Sequence, residues 1–141
     1  MASRHKSRAI AIQGLYQIEL TKTPVEEVVK FQWYDKKLGR EERELAELLI
    51  NGVVKNWEVL DNIIKAYSRG KELDRISIIN RNILRISIFS LVNMREIPGR
   101  IIINEALELT REFESEESLS LINGILDSVY RDELAKSSGG D

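Results

Sequence analysis

The segment INRNILRISIFSLV, residues 79–92, decides the fold because its apolar side chains surround a helix instead of forming a single stripe. A helix that is apolar around most of its circumference is a buried one, so we expect it to be central. Arg81 and Arg85 lie four residues apart on its remaining face. A buried arginine needs a carboxylate or carbonyl partner, for which Glu105 is a candidate. The apolar positions are Ile79, Ile83, Leu84, Ile86, Ile88, Phe89, Leu91 and Val92.

The remaining sequence has the spacing of amphipathic helices, with no useful length of strand-like alternation. From Leu45 to Val53, for example, apolar residues recur at intervals of three and four. A break near Gly70 could divide two helical halves, each too short to bury much core, so we expect them packed as one domain. We predict an all-α protein with a domain over residues 1–135 and a disordered tail over 136–141. The helices are expected near 4–20, 24–33, 41–56, 58–68, 78–94, 100–113 and 117–133.

Composition excludes several classes of protein. The 141 residues contain no cysteine and one histidine, which leaves no disulfide framework, thiol catalyst or cysteine-bound zinc. No apolar run approaches the ~20 residues of a membrane span, and the N-terminus lacks a signal-type apolar region. We therefore expect a cytoplasmic protein that is not an enzyme and has no cofactor, metal or membrane contact.

Positive charge is concentrated at the start of the chain. The first acidic residue is Glu19, and Arg4, Lys6 and Arg8 give the segment before it a formal charge of +3. The whole chain carries -2, so the remainder carries -5. Cations at a helix N-terminus oppose the helix dipole and do not stabilise the helix. Two interpretations stay open: a nucleic-acid contact, with His5 as a helper, or a merely solvated helix end.

Four motifs occur in a specific order: RAIAIQGLY at residues 8–16, ILRI at 83–86, INEALEL at 103–109 and INGILD at 122–127. Together, over about residues 4–131, they resemble the NusB family of bacterial transcription antitermination factors. The resemblance implies two small helical bundles packed together as one domain. It also implies binding of boxA-type single-stranded RNA together with the ribosomal protein NusE, within an antitermination complex on RNA polymerase during ribosomal RNA synthesis. Some relatives pair with themselves, so a homodimer is a further possibility.

The resemblance also implies positions for the binding surfaces. Leu121 stands where members often carry an aromatic residue. Asn80 stands where members often carry an acid, on the surface that faces NusE, and Arg81 follows it as a second expected partner-binding residue. The residues that match the family's RNA-binding motifs are Arg4, His5, Lys6, Arg8, Tyr16, Glu117 and Leu121.

Several features have a simpler structural interpretation. Tyr16 can be a core residue or a surface contact. The acidic face of the sixth helix can be solvated or can dock a basic partner, and Gly124 inside a helix is explained most naturally by close helix approach. The aromatic residues Trp33, Tyr34 and Trp57 can close the core or stack on bases. For the whole chain, the alternative to an RNA-binding factor is a helical protein–protein interaction module without a direct RNA role.

Overall fold

The computed structural model describes residues 3–139, with side chains as far as Lys136, and this part of the chain contains seven α-helices and no strand. The predicted all-α fold is therefore confirmed. Two short 3-10 turns, Leu73–Arg75 and Glu116–Ser118, precede α5 and α7. The helices are α1 (Arg4–Thr21), α2 (Val25–Val28), α3 (Arg40–Lys55), α4 (Trp57–Tyr67), α5 (Ile78–Asn93), α6 (Gly99–Phe113) and α7 (Leu119–Gly139).

The central position predicted for the apolar helix is confirmed by α5. Every residue from Asn82 to Leu91 is buried, and α5 packs against α1, α3, α4, α6 and α7. Since helices from both ends of the chain rest on α5, and α2 packs against α1 and α3, the buried residues form one core. At the crossing with α3, Gly52 lies against the Phe89 ring, and an added Cβ would stand 2.8 Å from its Cε2 atom. The missing side chain therefore lets the two helices pack at this point.

The buried arginine of α5 has two carboxylate partners from other helices. Arg85 is 1% exposed; its Nε donates to Asp61 Oδ1 at 2.7 Å and its Nη1 donates to Glu19 Oε1 at 2.8 Å. The guanidinium also lies 3.9 Å from the centroid of the Trp57 ring. The predicted partner, Glu105, was wrong because that residue faces α1 instead. Arg85 thus ties α1 and α4 to the central helix.

The second helix is much shorter than its predicted range of 24–33. It ends at Val28, and the chain leaves the helical direction at Phe31, whose φ of 57° is in the left-handed region. A bulky residue with positive φ is uncommon and carries strain of about 1–3 kcal/mol. Phe31 is 5% exposed, so burial of its ring offsets this strain. The residues that follow, through Gly39, form the loop that leads into α3.

The last helix is longer than predicted. It continues through Gly139, whereas the sequence placed its end near residue 133 and a disordered tail at 136–141. The final two residues of that expected tail, Gly140 and Asp141, lie outside the described residues, as do Met1 and Ala2.

Candidate nucleic-acid interface

The first turn of α1 presents three of the predicted cationic residues at the surface. Ser3 caps the helix by accepting a hydrogen bond from the Lys6 amide at 3.1 Å. The side chains of Arg4, His5 and Lys6 are 45%, 39% and 36% exposed. The sequence therefore positions these residues as expected, on a capped helix start that solvent and a ligand can reach.

Carboxylates of α6 pair with two of these residues. Arg4 Nε lies 3.1 Å from Glu105 Oε2, and His5 Nε2 lies 2.7 Å from Glu112 Oε2. The acidic face of α6 is consequently not simply solvated. Both sides of the His5–Glu112 contact are exposed, whereas Glu105 is only 12% exposed, so solvent reaches the Arg4–Glu105 pair mainly from the arginine side. The two contacts hold α1 beside α6 and leave Arg4 and His5 accessible to an anion from solvent.

The carboxylate partner of Lys6 lies at the start of α3 instead of on α6. Its Nζ lies 3.4 Å from Glu42 Oε1 and donates to the Lys37 carbonyl at 2.7 Å. Glu42 also accepts from the Gly39 amide at 3.1 Å and from the Ser3 amide at 3.3 Å. The Gly39 hydrogen bond is the largest cause of a lowered pKa of Glu42, and Lys6 lowers it further. Glu42 thus joins the beginnings of α1 and α3.

The prediction that Arg8 contacts RNA requires a correction. Arg8 is 2% exposed; its Nε donates to Glu105 Oε1 at 3.0 Å and its Nη1 to Ser90 Oγ at 3.1 Å. Burial lowers the pKa of Arg8, and the hydrogen bond from Arg8 to Glu105 opposes that shift. The side chain crosses beneath α6 to reach α5, so a phosphate outside cannot touch it. Glu105 therefore bridges a buried cation, Arg8, and an exposed one, Arg4.

Two lysines that the sequence reasoning missed extend the cationic surface. Lys36 and Lys37 are exposed in the α2–α3 loop, and neither has a carboxylate within ion-pair distance among the described residues. The contact between Lys6 Nζ and the Lys37 carbonyl brings this loop to the start of α1. The two adjacent lysines were visible in the sequence, in the run Asp35-Lys36-Lys37. Their position beside α1 was not, because it depends on how the loop folds. Arg4, His5, Lys6, Lys36 and Lys37 are named the cationic patch below.

A groove borders the cationic patch. Its walls are α1 with Ile10, the α2–α3 loop with Trp33 and Tyr34, and the end of α6 with Phe113, and its volume is about 380 Å³. His5 lies on its rim. Trp33 and Tyr34 pack against the core as predicted, with ring centroids 6.2 Å apart and planes at 80°, and each also lines the groove. We name this feature the aromatic groove.

Three other residues were assigned to the RNA surface, and they stand on α1, in the turn before α7 and on α7. Tyr16 is 37% exposed and lies twelve positions after Arg4, about 18 Å along α1. Glu117 is exposed in the turn before α7. Leu121 is half-buried and packs against the core, so it has a structural role besides any contact.

Of the two residues assigned to partner binding, Asn80 is an internal residue. It is 5% exposed, and its Nδ2 donates to Ser118 Oγ at 2.9 Å and to Glu114 Oε1 at 3.4 Å. These hydrogen bonds tie α5 to the turn before α7. The expected contact of Asn80 with a protein partner is corrected, because residues of the same chain bury its side chain.

Arg81 is likewise engaged within the fold. Its side chain is 12% exposed; its Nη1 donates to the Ile76 carbonyl at 2.6 Å and its Nη2 to Glu19 Oε2 at 2.9 Å. Glu19 therefore holds Arg81 and Arg85 together. These hydrogen bonds give Arg81 a structural role, because they fasten α1 to α5, and its expected contact with a partner stays a prediction.

Gly124 does not serve the close helix approach that its sequence suggested. It is exposed on α7, and an added Cβ would meet no described atom within 4 Å. Asn104 on α6 and Asn123 on α7 are exposed as well. The helix packing thus gives no reason for glycine at this position.

The described residues also limit the chemistry available. Between Ser3 and Lys136 there is no group of three or more His, Cys, Asp or Glu side chains arranged to hold a metal ion. Over the same range no helix is both long enough and apolar enough to pass through a membrane. The arrangement presents exchangeable cations and aromatic surface, which suits binding of an anionic, base-bearing strand.

Known proteins share both the sequence and the fold. The sequence profile of the NusB family matches residues 5–131. The transcription antitermination protein NusB of Leptospira biflexa is 50% identical over 134 residues, covering 95% of this chain and 96% of the relative. The structure of T. maritima NusB superimposes with a TM-score of 0.84 at 27% identity, covering 94% of each chain. A structure of the antitermination factors NusB and NusE in complex with dsRNA gives 0.81 at 23% identity, covering 92% of this chain and 96% of that one.

Proposed function

The chain belongs to the NusB family of transcription antitermination proteins, and we propose that it binds boxA-type single-stranded RNA through the cationic patch at the start of α1. It does so together with NusE, as part of an antitermination complex on RNA polymerase during ribosomal RNA synthesis. It acts in the cytoplasm by binding alone, without catalysing a reaction.

The observation that carries this proposal is the convergence of cations from two segments. Arg4, His5 and Lys6 come from α1, and Lys36 and Lys37 come from a loop thirty residues later, yet one hydrogen bond of 2.7 Å joins the segments. Guanidinium and ammonium groups bind phosphate, and guanidinium also stacks on unpaired bases. The cationic sides of these ion pairs are exposed, with the side chains of Arg4 and Lys6 at 45% and 36%, so a phosphate can approach them from solvent.

The first test compares the salt dependence of RNA binding between two double variants. Arg4→Ala with Lys6→Ala removes two exposed cations of the patch. Lys55→Ala with Lys71→Ala removes two exposed lysines, one at the far end of α3 and one beyond α4. The patch variant should flatten the log–log salt slope by about 1.4, since each phosphate on a single strand contributes ~0.7. The control variant should leave the slope unchanged, and equal slopes in all three proteins would refute the assignment.

The second test concerns NusE. RNA is titrated into the protein with NusE present and absent, and joint binding predicts tighter RNA binding when NusE is present. If NusE binds normally while RNA neither binds nor alters the complex, the chain is the protein–protein interaction module instead. Molecular mass measured in solution with and without RNA tests the homodimer, which would cover the patch if it forms through α1.

A further inference from the structure

The aromatic groove is shaped by a loop that is fixed at both ends. On one side Phe31 is buried, Trp33 Nε1 donates to the Val28 carbonyl at 2.9 Å, and the Tyr34 amide donates to the Phe31 carbonyl at 3.1 Å. On the other side Lys6 holds the Lys37 carbonyl. The two groove aromatics between these anchors are therefore held in place before any ligand arrives.

The size and lining of the groove fit a small, flat, apolar group. A volume of about 380 Å³ lies at the lower end of the roughly 300–1,000 Å³ typical of small-molecule sites. Tyr34 and Phe113 contribute aromatic surface, and Ile10 forms part of the wall. Both aromatic side chains are only partly buried by the protein itself.

The charges around the groove favour a nucleotide over an apolar side chain. Lys36 and Lys6 lie on its lining, and Lys36 has no carboxylate partner among the described residues. The opposing charges are Asp35 and Glu112, of which Glu112 is occupied by His5. Aromatic rings beside cations are the combination by which proteins bind single-stranded nucleic acid: the rings stack on bases and the cations track the backbone.

We propose that the aromatic groove holds one unpaired base of the bound RNA, stacked on Tyr34, with the neighbouring phosphates at Lys36 and Lys6. This inference rests on the proposed function and extends it, because it adds a base site to a surface so far defined by charge alone. Tyr34 becomes a residue that sets affinity through stacking, while the cationic patch sets the salt dependence.

The experiment measures binding of a boxA-type single-stranded RNA by fluorescence anisotropy to four proteins: wild type, Tyr34→Phe, Tyr34→Leu and Tyr67→Leu. Phenylalanine keeps a ring for stacking, so Tyr34→Phe should bind like wild type. Tyr34→Leu should lose roughly 5- to 150-fold in affinity, the usual effect of removing one base–aromatic stack, with an unchanged salt slope. Tyr67→Leu replaces a half-buried tyrosine of α4 that packs against the core as Tyr34 does but lies outside the groove, and it serves as the matched control. A thermal melt of each variant verifies folding.

An abasic scan of the RNA then locates the base. At one position, removal of the base should weaken binding to wild type but not to Tyr34→Leu, because each change already removes the same stack. If wild type binds the RNA and Tyr34→Leu binds equally well, the base site is wrong while the proposed function stands. If Tyr34→Leu weakens only NusE binding, the groove accepts a protein side chain and the base site is overturned. If no variant binds RNA with or without NusE, the proposed function itself fails.

Discussion

Replacement of Arg8 by alanine should unfold the domain more readily, although its neighbour Arg4 can be lost at little cost. Breaking a buried ion pair by removing one partner costs ~3–5 kcal/mol, because the other charge is left buried. Glu105 keeps its bond to Arg4 and its side chain is 12% exposed, so we expect the lower end, about 3 kcal/mol. Arg4→Ala breaks an exposed pair and should cost about 0–1 kcal/mol.

The assay is urea unfolding followed by circular dichroism, with RNA binding measured on the same proteins. Arg8→Ala should lower the unfolding midpoint with an unchanged m-value, whereas Arg4→Ala should leave the midpoint nearly in place and weaken RNA binding. The double variant Arg8→Met with Glu105→Leu should regain most of the stability, since apolar residues of similar volume can replace a buried pair. If Arg8→Ala is as stable as wild type and loses RNA affinity as Arg4→Ala does, Arg8 is a surface contact and the reasoning is refuted.

Three further variants probe the fold. Gly52→Ala should destabilise the protein by about 1–3 kcal/mol in a thermal melt, because its methyl group would overlap the Phe89 ring; no loss would mean that α3 and α5 are further apart. Gly124→Ala, also helical but in open space, should instead stabilise by about 0.5–1 kcal/mol. Glu42→Gln should be less stable than wild type above pH 4.5, since the lowered pKa of Glu42 makes its carboxylate stabilising there. That difference should vanish as the pH falls through the folded-state pKa, and a difference independent of pH would exclude the carboxylate charge, held by the Gly39 amide and then by Lys6, as its cause.

The apolar pattern of α5 was sufficient to predict the central helix, because burial of a whole circumference follows from the sequence of that helix alone. The exposure of Arg4, His5 and Lys6 was predictable because they stand in the first turn of α1 and charged or polar side chains are mostly exposed. The carboxylate partners of these residues were not predictable, since Glu105, Glu112 and Glu42 reach α1 only through the packing of α6 and α3.

Two errors have a common physical source. Arg4 and Arg8 share a helix face, so spacing alone treats them alike, but α6 crosses that face and covers only Arg8. The early end of α2 depends on Phe31, which adopts a left-handed conformation without being glycine. In both cases tertiary contacts decide a local outcome that the local sequence does not encode. The loop that follows Phe31 supplies Trp33 and Tyr34 to the groove, so the early end of α2 helps to form it.

The pairing of the patch has a consequence for how strongly this protein can hold RNA alone. Arg4 and Lys6 already face carboxylates, so a phosphate gains only the difference between two partners of similar charge. Within the cationic patch, Lys36 and Lys37 offer cations that no described carboxylate pairs with. Charge alone therefore yields modest affinity, and useful affinity requires either base stacking in the groove or a second protein on the same strand. A bound partner supplies the second protein by raising the effective concentration of the RNA at the patch, so the charge arrangement supports the joint binding with NusE that we propose.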